Sequence, residues 1–303
     1  MKTTERYIAI VIEHQNLTAV EIVHSPKGYT LTAAGSFISQ LDFDDPALFE
    51  QPGASQREKL FANELLIFLK KIGSGSKHIS FGLNSKMVML QTVPMDSSFG
   101  ENEHDQQAKW ELSQYFLDSH PHSFSVSAVP LQGTIDALHT QTLVLAVRKS
   151  CINFLTRVCA QFGATLNIVD VDHFAAENAF LINYPEAMTK RCLLVGADEE
   201  SFDVSILVAG QTTDVSIVPR ATASDIVHLT EYVQAMKPEA IYFHGRIVTA
   251  DLVSEVAAAT GVPAEILNPF QQVVLPKSVG NHAEIQRAQQ SYAAAVGLAL
   301  RTE

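Results

Sequence analysis

Tyr7–Val23, YIAIVIEHQNLTAVEIV, is the stretch on which the fold turns. Two runs rich in Ile and Val flank the short polar connection Glu13–Asn16, which predicts strand, tight turn, strand. A second copy of the pattern lies far downstream. Cys192–Leu207, CLLVGADEESFDVSIL, is again an apolar run, an acidic turn and an apolar run. Each copy heads a segment of mixed strand and helix pattern. Two such hairpins predict two related halves facing each other, and what their turns can hold separates an enzyme from other functions.

The 303 residues suit roughly two folding units or one divided unit. With 47% hydrophobic and 18% charged residues and a mean hydropathy of +0.09, the chain can bury a sizeable core. Only Gly73–Ser76, GSGS, is low in complexity. A net charge of −12 without a basic stripe argues against a nucleic-acid partner. Cys151, Cys159 and Cys192 lack the spacing of a disulfide framework or a zinc site and fit a reducing cytosol. Tyr7–Ile12 is too short for a signal-peptide core, and no stretch approaches the ~20 apolar residues of a membrane span. Membrane contact is therefore expected only through a partner.

Tyr29–Ile38 reads as a third strand, and acidic Leu41–Gly53, with Pro46 and Pro52, as loop. Ser55 precedes a helix whose Leu60, Phe61, Leu65, Phe68, Leu69 and Ile72 share one face. Gly73 ends it, with Lys70 and Lys71 in the last turn, where cations suit the helix dipole. His78–Leu83 reads as a strand, and Lys86–Val93 as another ended by Pro94. A helix follows from about Glu101 to Leu117, striped by Ala108, Leu112, Tyr115 and Phe116. Strands Ser123–Leu131 and Gln141–Val147 complete an inserted subdomain, Asn84–Arg148.

Ser150 is placed to cap a helix with stripe Ile152, Leu155, Cys159 and Phe162, stopped by Gly163. Leu166–Val171 is a strand, and Asp172 caps the helix Phe174–Ile182. After the second hairpin come the strand Thr213–Pro219, a helix from Ser224 to about Met236 and the strand Ala240–Phe243. Helix Ala250–Thr260 and an Ala-rich last helix, Ala283–Leu300, end the α/β (mixed α+β) pattern.

This order resembles the actin-like ATPase fold, and within it the PilM type of type IV pilus assembly protein; the cell-division protein FtsA is more distantly similar. Ala108–Leu117, AKWELSQYFL, with Thr142–Arg148 matches the inserted subdomain typical of PilM. Phe162–Phe180, FGATLNIVDVDHFAAENAF, resembles the family's helix end, strand and following helix. Gly261–Phe270, GVPAEILNPF, and Tyr292–Arg301, YAAAVGLALR, look like its C-terminal pattern. The resemblance implies two βββ-helix halves around a cleft: 1–83 with 149–188, and 189–303, with 84–148 inserted in the first. It also implies a cytoplasmic scaffold of a pilus or related secretion machine, peripheral to the inner membrane through its partner. That partner is the cytoplasmic N-terminal tail of a PilN-like inner-membrane protein, extended along a groove between the first half and the inserted subdomain.

The chain departs from the family at the nucleotide turns. Where the family's first turn reads like DIGSSS-K, Val11 stands at the Asp, Glu13 at the Gly, His14 at a Ser and Thr18 at the Lys. In the second turn Gly196 and Asp198 reverse the family's D-x-G order, and Gly245-Arg246 replaces a Gly-Gly adenosine turn. A phosphate cradle needs close backbone N–H groups and positive potential. Glu13, Asp198, Glu199 and Glu200 instead place carboxylates there, and two like charges about 4 Å apart repel by roughly 4 kcal/mol at an effective dielectric near 20. Between Pro219 and Ala240 there is room for one helix, so the family's second small subdomain is missing. These changes predict a scaffold that has lost its nucleotide site and needs no cofactor. The alternatives are a divergent ATPase or switch that still binds ATP with Mg²⁺, and a self-associating filament subunit.

Other candidates are weighed against plainer roles. The acidic turn Asp198–Ser201 reads as a solvated hairpin turn rather than a cation site. His120 and His122 read as a polar loop, not a metal site, and His14 and His244 as surface histidines rather than a pair across the cleft. Trp110 lies off the helix stripe and is the candidate partner anchor, with a gap-filling role as the alternative.

Overall fold

A computed structural model describes residues 6–50, 54–115, 121–134, 136, 138–222, 225–277, 279 and 282–301. Pro52, Gly53, Phe116, Leu117, His120 and Ser224, named above, lie outside the described residues. In chain order the elements are β1 (Arg6–Glu13), β2 (Asn16–Ser25), β3 (Gly28–Ile38), α1 (Ala54–Ile72), β4 (His78–Leu83), β5 (Val88–Asp96), α2 (Glu101–Tyr115), β6 (Phe124–Thr134) and β7 (His139–Arg148). Then follow α3 (Lys149–Gln161), β8 (Thr165–Val171), α4 (Asp172–Asn183), β9 (Arg191–Ala197), β10 (Ser201–Val208), β11 (Gln211–Pro219), α5 (Val227–Met236) and β12 (Ala240–His244). The chain closes with α6 (Ala250–Thr260), β13 (Ala264–Ile266), β14 (Val273–Val274), α7 (His282–Arg287) and α8 (Ala293–Leu300).

Among the described residues the strands form three sheets. The first runs β14-β3-β2-β1-β4-β8, the second β11-β10-β9-β12-β13 and the inserted one β5-β7-β6. In each half an antiparallel hairpin is followed by a parallel strand beside its first member: β4 along β1, and β12 along β9. The repeated hairpin therefore builds two equivalent sheets. Between them lie α4 and α8, whose alanines share one apolar core with Ala9, Val20 and Ile22 of the first sheet and Leu194, Leu207 and Tyr242 of the second. The first sheet's other face packs on α1 and α3, the second's on α5 and α6.

Small residues set the α4–α8 spacing. A Cβ on Gly297 would lie 2.7 Å from the Ala179 amide nitrogen and overlap the Ala175 carbonyl oxygen. The Ala-rich composition of the last helix permits this close approach, and α8 packs on both α4 and the strands β1, β2 and β4. The chain's end thus returns to the first sheet: β14 pairs with β3, and α8 covers that sheet's inner face, although the sequence reading keeps 189–303 together.

Several local expectations change for identifiable reasons. Strand β5 continues through Pro94, which pairs with Gln141, because β5 is an edge strand where a missing N–H is tolerated. Lys86 sits in a short 3₁₀ turn, Ser85–Met87, instead of a strand. Helix α3 starts at Lys149 behind Arg148, with no side-chain cap from Ser150. Asp172 is the first residue of α4, not its cap. The last helix is interrupted: Ala288, at φ −127° and ψ 36°, separates α7 from a 3₁₀ turn and α8. The GSGS loop is anchored. Buried Glu21 accepts hydrogen bonds from Ser74 Oγ (2.7 Å), Ser76 N (3.3 Å) and Thr32 Oγ1 (2.6 Å). The helix count between Pro219 and Ala240 agrees with the sequence, α5 being the one helix described there.

Candidate functional site

The cleft between the sheets is assembled from strand ends. Strands β1 and β2 pair as far as Glu13↔Asn16, so the reversal is made by His14 and Gln15 alone, with His14 at φ 55°. So short a turn offers no run of free amides to an anion. Val11 and Thr18 are cross-strand partners within the ladder. Opposite, β9 and β10 are joined by Asp198–Glu200, and β12 ends in His244 followed by Gly245 at φ 116°. Gly245 tolerates no Cβ, which would fall 2.7 Å from the Ala197 carbonyl oxygen.

Side chains from the two halves meet across this space. Arg246 lies 3.6 Å from Glu13 and 3.4 Å from Glu199. Lys86 Nζ lies 3.3 Å from Asp198 and 3.0 Å from Glu200. Asn84 Nδ2 donates to Asp198 at 3.4 Å, and His14 lies between Asp44 and Asp198. The acidic turn is solvated only in part: Glu199 and Glu200 are exposed as expected, whereas Asp198 and Ser201 are buried, the Asp198 carboxylate being partnered by Lys86, Asn84 and His14. Burial pushes the Asp198 carboxyl up, but the Glu200 N–H, Lys86 and His14 together hold it below its usual range. Burial pulls Lys86 down, and Glu200 and Asp198 outweigh it to leave the ammonium raised. Glu13 is raised chiefly by burial, against the opposing pull of Arg246.

Behind this clasp a second polar group is closed off. His244 is not a surface residue: it is buried, its Nε2 3.2 Å from Nδ1 of His173, whose Nε2 is 2.8 Å from Ser205 Oγ. It does not pair with His14. Burial pushes His244 down to about 3 and His173 well below its ordinary value, so the two rings are neutral. Gly196 makes room for them, since its Cβ would lie 2.8 Å from the His244 ring. Burial also raises Asp172, helped by Asp203 and Glu13, and lifts Asp203 to about 6. The remaining void, lined by Val11, Glu13, Asp172, Asp203, His244 and Arg246 among others, is about 40 Å³. That is room for a few waters. Among the described residues no group of three or more His, Cys, Asp or Glu is placed to hold a metal ion.

The open space lies elsewhere. Strand β8 is the edge of the first sheet and β6 the edge of the inserted one. Between them runs a trough whose two parts, about 380 and 190 Å³, share Ile152 and Val169. One wall is the row Ile152, Thr156, Ala160 on α3; another is Ser125–Ser127 on β6. The sequence reading puts Ile152 in the buried stripe. The buried residues of α3 are Cys151, Phe154, Leu155, Val158 and Cys159, and Ile152 belongs to the adjacent row facing the trough. An i, i+4, i+8 row of neutral side chains beside the buried stripe is the signal that marks it. At the trough's end Arg301 binds Asp170 at 2.7 Å. Trp110 stands apart on α2, 55% exposed, while Ala108 and Leu112 are buried as anticipated. His122 is exposed. Lys86, Asn84, Asp172, Asp203 and His173 escape sequence reading because their partners lie in the other half.

No family model matches this sequence, and no curated protein matches it. Solved structures do. A PilM–PilN type IV pilus biogenesis complex contains a chain of 18% identity that aligns over 97% of this chain and 98% of its own, with a TM-score of 0.77. A Bacteroides thetaiotaomicron protein of actin-like ATPase fold and unknown function aligns over 88% of this chain and 93% of its own, at 12% identity and a TM-score of 0.53. The fold is therefore actin-like, as the sequence resemblance implies. Among the described residues no helix is long and apolar enough to cross a membrane.

Proposed function

We propose that this actin-like chain is a scaffold of a type IV pilus or related secretion assembly that holds an extended segment of a partner along β8. The observation that carries this reading is the edge of β8, unpaired among the described strands and opening onto the trough between α3 and β6. An edge strand offers main-chain hydrogen bonds for affinity, and alternate side chains of an added strand read the neighbouring walls. The row Ile152, Thr156 and Ala160 suits small apolar side chains. The likeness to a PilM–PilN complex supports the cytoplasmic N-terminal tail of a PilN-like inner-membrane protein as the occupant. Localisation then follows from the partner: a cytoplasmic protein held at the inner membrane.

A peptide copying that tail from the same organism's PilN-like protein is expected to bind saturably in calorimetry at micromolar concentration. Ile152→Asp puts a charge on the apolar wall and is expected to weaken binding at least tenfold, whereas Trp110→Ala leaves it unchanged. No saturable binding at high micromolar concentration sinks the reading, and loss with Trp110→Ala alone moves the site to α2.

The same reading makes the chain a non-hydrolysing relative of its fold. Lys86 and Arg246 beside the turns are already engaged by carboxylates, and Arg220 donates to the Asp198 carbonyl, so a polyphosphate would have to displace these contacts to use the cations. Millimolar ATP with Mg²⁺ is expected to leave the melting temperature unchanged. A ligand present at 100 times its Kd would add about 2.7 kcal/mol, a rise that a thermal shift cannot miss. Such a rise would restore the nucleotide-switch alternative.

A further inference from the structure

We propose that the second half sets the width of the trough, by holding the hinge of the inserted subdomain; the functional meaning of this control rests on the trough being the partner's site. The chain enters the inserted subdomain through Asn84–Met87 and leaves it at Arg148. Val88 and Val147 are paired at this neck, and both pack into the core of the first half. The neck is thus the pivot about which the subdomain can tilt.

The residues of that pivot are the ones that grasp the second half. Asn84 caps the 3₁₀ turn by accepting from Lys86 N at 2.9 Å, and its amide donates to Asp198. Ser85 hydrogen-bonds the Asp203 carboxylate. Lys86 spans Asp198 and Glu200. Three consecutive residues of the neck therefore each hold the β9–β10 hairpin, and Asn84 and Ser85 are buried in doing so.

A second contact lies farther out. Leu131 of β6 packs with Leu143 and with Val215 of β11, so the second half also touches the subdomain away from its pivot. Strand β6 pairs with β7 from Phe124 to Pro130 and moves with it as one body. Its first residues, Ser125 and Ser127, wall the trough. A shift of the second half must turn the subdomain about Val88 and Val147, and this carries Ser125–Ser127 toward or away from β8. Because coupling between sites is reciprocal, a strand seated in the trough biases the second half in return.

Spin labels on Ser127→Cys and Thr156→Cys, exposed positions on opposite walls, measure the width directly. The native thiols do not interfere: Cys151, Cys159 and Cys192 are buried, and burial pushes them up to about 12, 12 and 11. The label pair is compared with and without Lys86→Met and Asp198→Asn, which remove charge but keep size. Each variant is expected to shift the mean distance by ~2 Å or more, the scale on which packed elements slide, or to broaden its distribution. Hydrogen exchange of the β6 and β8 amides in the unlabelled proteins is expected to rise in parallel. Unchanged distances and unchanged exchange in both variants, with folding verified by melting, overturn the proposal. No peptide enters this experiment, so a failure of the tail to bind has no bearing on the distances it reads.

Discussion

Gly297→Val is expected to destabilise the protein by on the order of 3 kcal/mol or more, and to lower Tm by about 5 °C or more. The residue sits where α8 crosses α4, and both Ala175 and Ala179 are fully buried. Overpacking a core commonly costs about 1–3 kcal/mol because side chains can turn aside. Here the obstacle is main chain, which cannot. Asn178 Nδ2 also donates to the Gly297 carbonyl at 2.7 Å and would lose its geometry as the helices part. Both sheets lean on this helix pair, so separation is felt in both halves. Gly163→Ala is the control. That glycine has φ 68° but nothing within 4 Å of its missing Cβ, and its replacement is expected to cost only the left-handed strain of about 1–2 kcal/mol. Equal losses in urea unfolding for the two variants would refute the packing argument.

His244→Asn is expected to reverse its effect on stability between pH 8 and pH 4. At pH 8 both buried histidines are neutral, and the variant loses a 3.2 Å hydrogen bond to His173 and some packing, a cost of about 1 kcal/mol. Burial holds the folded pKa of His244 near 3, whereas the unfolded chain takes up a proton near 6.5. The unfolded state therefore binds more protons throughout that window. The wild type's stability from this residue is complete above pH 6.5 and is lost as pH falls toward 3, by roughly 1.4 kcal/mol per pH unit. The variant does not suffer this loss, so the two curves converge and cross at pH ~5.8, where the wild type's loss reaches about 1 kcal/mol. Asp172 and Asp203, raised in the fold chiefly by burial, act in the opposite sense on acidification, gaining stability as pH falls. They are common to both proteins, so the difference between the curves isolates His244. Parallel curves from pH 8 to pH 4 would count against a neutral, buried ring.

Sequence alone makes the frame of this molecule readable because the frame is local. The two hairpins, the apolar runs of β1, β2, β9 and β10, and the apolar face of α1 are written in consecutive residues. So is the short passage from Pro219 to Ala240, which holds one helix and leaves no room for a second subdomain. The site is written in pairs far apart in the chain. Lys86 and Asp198 are 112 positions apart, and His173 and His244 are 71. Nothing near Asp198 in the sequence says that a lysine will bury it, so the acidic turn reads as solvated. Likewise the F-H-G end of β12 reads as a surface turn until α4 lies over it. The resemblance implies a groove beside the inserted subdomain, but the residues of its walls escape sequence reading for a related reason: Ile152 is apolar, and periodicity cannot say whether an apolar row faces a core or an open edge. The two hairpin turns that carry Glu13 and Asp198 are legible, since each is local; their ion-pair partners are not.

The return of α8 to the first sheet has a consequence for how the chain is made. Strands β1 to β4 leave the ribosome early, yet the helix that covers their inner face ends at Leu300, and β14, which completes that sheet's edge, comes only at Val273. Roughly 200 residues separate β4 from α8, about 10–40 s of translation at about 5–20 residues per second. Throughout that interval Ala9, Val20 and Ile22 present an apolar sheet face without its cover. The nascent chain is a natural client for a holding chaperone. A polypeptide stopped before α8 would carry all the described strands and could not close.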